Sequence, residues 1–213
     1  MRILLLALAL TIAAPPAFPE PPKSRAEALT ALKSADAATR AEAVVWIANR
    51  GAASDDGLLH ERLRDESGLV RSYAEQALWL LWNRSGDAAL DATMARGLEE
   101  MQAGRHAEAI ATFSGVIERK PEFAEGWNKR ATVYYLAGEY RKSLADCDQV
   151  LKRNPRHFGA LSGAGMVSLA LEQLEEAQRW FRRALEVNPN MVGVELELLR
   201  LEERLQAKRR RST

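Results

Sequence analysis

Residues 124–157 read AEGWNKRATVYYLAGEYRKSLADCDQVLKRNPRH, and one spacing within them organises the rest of the chain. Two helical stretches flank Ala137-Gly138-Glu139, and Asn154-Pro155 follows the second. Glycine tolerates the left-handed backbone that ends a helix. Proline pushes the residue before it out of the helical region. The stretch therefore reads as helix, turn, helix and corner. The corner recurs, with Lys120-Pro121 lying 34 residues earlier and Asn188-Pro189 34 residues later. Each unit also breaks midway, at Gly104-Arg105-His106 in the first, Ala137-Gly138-Glu139 in the second and Glu172-Gln173 in the third, where no glycine stands. Three units follow: 90–123, 124–157 and 158–191.

With each proline set at position 32, the columns align. Position 8 holds Gly97, Ala131 and Gly165; position 20 holds Ala109, Ser143 and Ala177. Position 24 holds Phe113, Cys147 and Phe181, and position 27 holds Val116, Val150 and Ala184. Trp127 and Tyr134 occupy positions 4 and 11 of the middle unit. This pattern resembles the tetratricopeptide repeat (TPR), a 34-residue helix-turn-helix unit. Departures fall at position 7, where Arg96 and Arg130 replace an apolar residue, and at position 11, where Glu100 and Ser168 replace an aromatic one. The resemblance implies an all-α fold: a right-handed helical-repeat solenoid of three TPR helix pairs over 87–189. One pair cannot bury its own apolar face, so neighbours must stack to complete a core. Beyond Pro189, Val194, Leu198, Leu201 and Leu205 make one helical face, opposite Glu195, Glu197, Glu202, Glu203 and Arg204. A C-terminal capping helix is expected within 190–213, ending in a solvated basic tail, Lys208-Arg209-Arg210-Arg211.

Residues 23–86 carry a second helical pattern. Leu32, Arg40, Ala43 and Ile47 are echoed 31 residues later by Leu63, Arg71, Ala74 and Leu78. The stretch 58–78, with Asp65 ahead of Arg71, resembles a short HEAT-like helix pair, and plain antiparallel helices fit it as well. An Asp ending one helix and an Arg opening the next suit pairing between helices. Trp46, Trp79 and Trp82 read as core or junction residues. Ser85-Gly86-Asp87 is a break with Asp87 as helix N-cap, and no long polar linker follows, so the two parts should stack. At the start, Met1-Arg2 precedes the apolar run 3–14 and then a Pro-rich stretch to Pro22. Residues 1–22 read as a cleavable signal peptide and linker, the apolar run 3–14 being too short to span a bilayer. A periplasmic or secreted protein is the expectation.

Composition narrows the function classes. Hydrophobic residues at 47% and charged residues at 28% exclude wholesale disorder and an integral multi-span membrane protein. A formal charge of +1 argues against a nucleic-acid partner. Setting aside Arg2 and the four tail cations leaves −4, a mildly acidic body with a basic end. A lone cysteine permits no internal disulfide, and Cys147 falls on a core position. His60, His106 and His157 are far apart, and His106 and His157 read as exposed turn residues. Asp146 and Asp148 flank Cys147 as surface charges, and Ser143 beside Lys142 lacks the spacing of an activated dyad. No phosphate loop, nucleophile elbow or metal motif appears, so no enzyme, cofactor or metal is expected.

The resemblance points to binding. First helices of TPR units line the concave surface through positions 2, 5, 9, 12 and 13. These give Met94, Leu98 and Met101 in the first unit, Asn128, Thr132 and Tyr135 in the second, and Ser162, Met166 and Leu169 in the third. Such a groove suits a peptide or protein partner with apolar side chains. Relatives that clamp a terminal carboxylate carry Lys, Arg and Asn at positions 5 and 9. Here those positions read Met94, Leu98, Asn128, Thr132, Ser162 and Met166, which disfavours that clamp. The expected function is a non-catalytic interaction adaptor. The alternative is a structural or self-assembling protein, a homo-oligomer included, whose groove is filled by its own helices or by another copy.

Overall fold

A computed structural model describes residues 19–211. The expected signal segment lies almost wholly outside the described residues. Within them the chain is all helix. The order is α1 (Arg25–Ala31), α2 (Ala37–Arg50), a 3-10 turn (Ala53–Asp55), α3 (Asp56–Arg62), α4 (Gly68–Trp82), α5 (Ala88–Gln102), α6 (His106–Arg119), α7 (Ala124–Leu136), α8 (Tyr140–Arg153), α9 (Phe158–Ala170), α10 (Leu174–Val187) and α11 (Val192–Arg211).

Helix ends follow local chemistry. Asp36 and Asp87 accept backbone N–H bonds as N-caps, as does Ser24. The three mid-unit turns share one hydrogen bond, from the N–H of Arg105, Glu139 and Gln173 back to the carbonyl of Glu100, Tyr134 and Ser168. That bond closes a left-handed cap. Gly104 and Gly138 hold it at φ 73° and 76°, and Glu172 is forced to φ 58° because the third unit has no glycine there. A non-glycine residue in that region costs about 1–2 kcal/mol.

Within each pair, positions 8 and 24 fit one another. A Cβ added to Gly97 would lie 2.6 Å from the Phe113 ring, and one added to Gly165 would lie 2.4 Å from the Phe181 ring. In the middle unit Ala131 faces the smaller Cys147 instead, and Ser143 donates to the Ala131 carbonyl at 2.7 Å. Phe113, Phe181, Val116, Val150 and Ala184 are fully buried. The arginine departures have acidic partners, while the Ser168 hydroxyl is buried without a hydrogen-bond partner among the described residues. Arg130 holds Asp146 through two bonds of 2.7 and 2.9 Å, and Arg96 approaches Glu100 at 3.6 Å. Asp146 is thus a buried ion-pair partner, whereas the sequence placed it on the surface. The two-residue spacing separates it from Asp148 on α8 but says nothing of α7 beside it.

The preface, α1 to α4, repeats itself in atomic detail. Arg40 donates to the carbonyls of Ser34 and Ala35, and Arg71, 31 residues on, donates to those of Asp65 and Glu66. Arg40 also binds Asp65 with two bonds of 2.9 and 2.7 Å, so the Asp65 carboxylate pairs with the arginine of the preceding helix pair and not with Arg71, which the sequence set beside it. Arg71 finds Asn190 instead, at 2.9 Å, and Asn190 donates to the Leu63 carbonyl. The preface therefore docks sideways against the Asn-Pro corners and does not stack end-on on the first unit. Arg64 reaches the carbonyls of Glu186 and Val187, Arg156 binds Asp56, and Phe158 enters the core of α1 to α4.

After the third pair, α11 lays Leu201, Leu205, Val194 and Leu198 on the cluster around Phe181, the face anticipated for a cap. Its other side is not uniformly polar. Val192, Leu196 and Leu199 are exposed there. None of the described helices is long and apolar enough to cross a membrane.

Candidate functional site

The first helices of the second and third units face one another across a cavity of about 140 Å3. Asn128, Thr132 and Tyr135 project from α7, and Met166 and Val167 from α9. The remaining wall is made of small residues: Ala131, Gly159, Gly163, Ser143 and Cys147. Gly163 leaves the space open, since a Cβ there would meet only Cys147 Sγ, at 3.6 Å, whereas Gly159 makes room for Trp79, whose ring would lie 2.4 Å from a Cβ there. Apolar cavities of roughly 150 Å3 accept a benzene-sized group, so this one can seat one apolar side chain. Burial and the carboxylates of Asp146 and Asp148 push the Cys147 thiol up to about 12. It is a packing group, as anticipated, and stays protonated at neutral pH.

Polar side chains around the cavity are held from behind. The Asn128 amide donates to both oxygens of Glu125, at 3.1 and 3.0 Å, and the Thr132 hydroxyl donates to the Asn128 carbonyl. Glu125 is the centre of a buried cluster, bound by Lys129 at 2.8 Å and by His157 Nε2 at 3.0 Å. Ala160 N–H donates to His157 Nδ1, so the ring carries its proton on Nε2 and donates it to Glu125. Burial works to raise the Glu125 carboxyl, but His157 and Lys129 outweigh it and bring it down to about 2. Trp82 stacks on His157 with centroids 4.3 Å apart, and Trp79 covers Gly159 and lies under Lys129. The preface thereby closes one end of the space between α7 and α9.

His157 is fully buried, contrary to the exposed turn read from sequence, and His60 is 5% exposed with its ring against the Arg156 carbonyl. Both lie where preface and repeats meet, a contact spanning about a hundred residues of chain that no local pattern announces. Of the nine anticipated groove residues, Asn128, Thr132, Tyr135 and Met166 converge on the cavity. Met94 is buried in the cluster between α5 and α6, with Leu98 and Met101 packed against it. Leu169 and Met166 both pack toward α10 and α11, Met166 lining the cavity as well, and the Ser162 hydroxyl is turned to the Gly159 carbonyl. The sequence reading missed Gly159 and Gly163; two glycines one helical turn apart in α9 were the available signal.

Comparison with known proteins agrees with the repeat geometry. A tetratricopeptide repeat family model matches residues 94–148 and 129–191. A TPR repeat-containing protein of Rhizobium etli is 36% identical over 135 residues, which cover 61% of this chain and 66% of that protein. Human Tetratricopeptide repeat protein 12 is 27% identical over 108 residues, 51% of this chain and 15% of its own length. The chain thus spans less than two thirds of these relatives. Among solved structures, the first TPR of Spaghetti (RPAP3) bound to HSP90 peptide SRMEEVD superposes with a TM-score of 0.54 at 25% identity, covering 55% of this chain and 93% of that one. The Sgt2 TPR domain from Aspergillus fumigatus shares the fold with a TM-score of 0.56 at 17% identity, covering 58% and 83%. Over 94–191 this chain is thus similar in sequence to the tetratricopeptide repeat family, and its helix pairs resemble those of the solved TPR domains.

Proposed function

We propose that this protein is a non-catalytic interaction adaptor that holds a peptide or protein segment against the concave face of three TPR units, in a right-handed array capped by α11. The observation that carries the reading is the cavity between α7 and α9, where Asn128, Thr132, Tyr135 and Met166 surround space for one apolar side chain. The similar RPAP3 domain, solved with an HSP90 peptide, supports the reading by analogy. Met94 and Leu98 remain unsuited to a terminal carboxylate, so an internal apolar anchor is the expected ligand feature. The apolar start of the sequence supports a place in the cell envelope, and the 31-residue echo in the preface supports a HEAT-like unit there.

Selection of peptides from a random library on the full chain tests this. Gly163→Leu fills the cavity from the wall against Cys147. Selected peptides should carry a recurrent aliphatic or aromatic residue and bind this variant at least tenfold more weakly. Peptides that bind Gly163→Leu as well as the parent would refute the groove. A second reading, self-assembly, is favoured by the exposed face Val192, Leu196 and Leu199 of α11. Light scattering that shows a monomer at all concentrations would exclude it.

A further inference from the structure

Away from the concave cavity, a second cleft of about 520 Å3 opens where the preface meets the first two corners. Its wall carries four cations, Arg84, Lys120, Arg153 and Arg156, against two carboxylates, Asp56 and Glu122. Only one of the four cations, Arg156, is paired with a wall carboxylate. Asp56 is engaged by Arg156 and the Trp82 indole, each at 2.8 Å, and by His60 at 3.1 Å, and Glu122 is exposed. The other three cations donate to neutral carbonyls: Arg84 to Ala48 and Gly51, Lys120 to Ser85 at 2.6 Å, and Arg153 to Pro121 at 2.6 Å. A carbonyl satisfies an N–H donor and leaves the positive charge in place.

The corner sequences reinforce this. At the second and third corners an asparagine accepts a bond from its own turn, Asn154 from Arg156 N–H and Asn188 from Asn190 N–H. The first corner has Lys120, which has no acceptor and reaches across to the preface. The unit that departs from the asparagine pattern thus adds an ammonium to a wall already rich in guanidinium.

We propose that this cleft binds an acidic peptide segment through two or more Asp or Glu side chains. Guanidinium groups match carboxylates in geometry as well as charge. The two wall carboxylates disfavour a dense dianion such as phosphate, while carboxylates spaced along a chain can pass between them. This site does not depend on the concave groove.

The test is fluorescence anisotropy of a labelled peptide of alternating Glu and Gly, with its Gln counterpart, on the full chain at low salt. The Glu peptide should bind at least tenfold more tightly and weaken as salt is raised. Lys120→Gln should weaken it about threefold or more, and Glu122→Lys should tighten it by a similar factor, whereas Tyr135→Ala in the groove should change nothing. Because Glu122 is exposed, its variant keeps the test open even where loss of Lys120 loosens the junction. Equal binding of the two peptides, no tightening with Glu122→Lys, or displacement by inorganic phosphate or anionic lipid vesicles more readily than by unlabelled Glu peptide would overturn the proposal.

Discussion

Single residues in this fold are answerable to one or two neighbours. Gly165 stands where a Cβ would lie 2.4 Å from the Phe181 ring, while Gly115 on α6 has open space. Gly165→Ala should therefore lower stability by about 1–3 kcal/mol, the usual penalty of overpacking. Gly115→Ala should raise stability by about 0.5–1 kcal/mol through helix propensity. Urea denaturation of both variants checks the contrast. Glu125 carries a pH dependence of known sign. Its carboxyl falls from an ordinary 4.5 to about 2 on folding, so the folded state gains stability above pH 4.5 and loses it as pH falls from there toward 2. Glu125→Gln should be less stable than the parent at neutral pH and should show a flatter decline between pH 5 and 3. An unchanged slope would show that Glu125 is not the group responsible.

At the scale of elements, the 34-residue spacing was legible because each signal is local. A proline restricts the residue before it, and a small residue at position 8 answers a large one at position 24 on the same helix pair. Cys147 was read correctly as core for the same reason. The burial of Asp146 was not legible from α8 alone, since Arg130 stands on α7. The position of the preface was hidden further still. Arg71 offers the same groups as Arg40, but its partner, Asn190, lies 119 residues along the chain. Asn190→Ala removes the acceptor of Arg71 and the donor to Leu63, so stability should fall by about 1–3 kcal/mol. The loss should loosen the docking of the preface first. Limited proteolysis should then cut the link at 83–87 faster than in the parent protein, and an unchanged rate would mean that the dock does not rest on this corner.

For the whole molecule, the docked preface closes one end of the space between α7 and α9. Trp79 and Trp82 seal it at Gly159 and His157, leaving the cavity beside Tyr135 and Met166 as the point of entry. Sequence positions carried over from the resemblance found the residues that meet there, but could not separate them from Met94, which the same numbering assigns to the groove and the structure buries in a core. That distinction depends on packing between α5 and α6, and the column number alone does not contain it. The claim that the groove holds an apolar side chain is tested most directly by methyl NMR of the methionines during titration with a library-selected peptide. The Met166 methyl should shift while those of Met94 and Met191 stay in place; a saturable binding isotherm with Met166 unmoved would rule out an apolar anchor in this cavity.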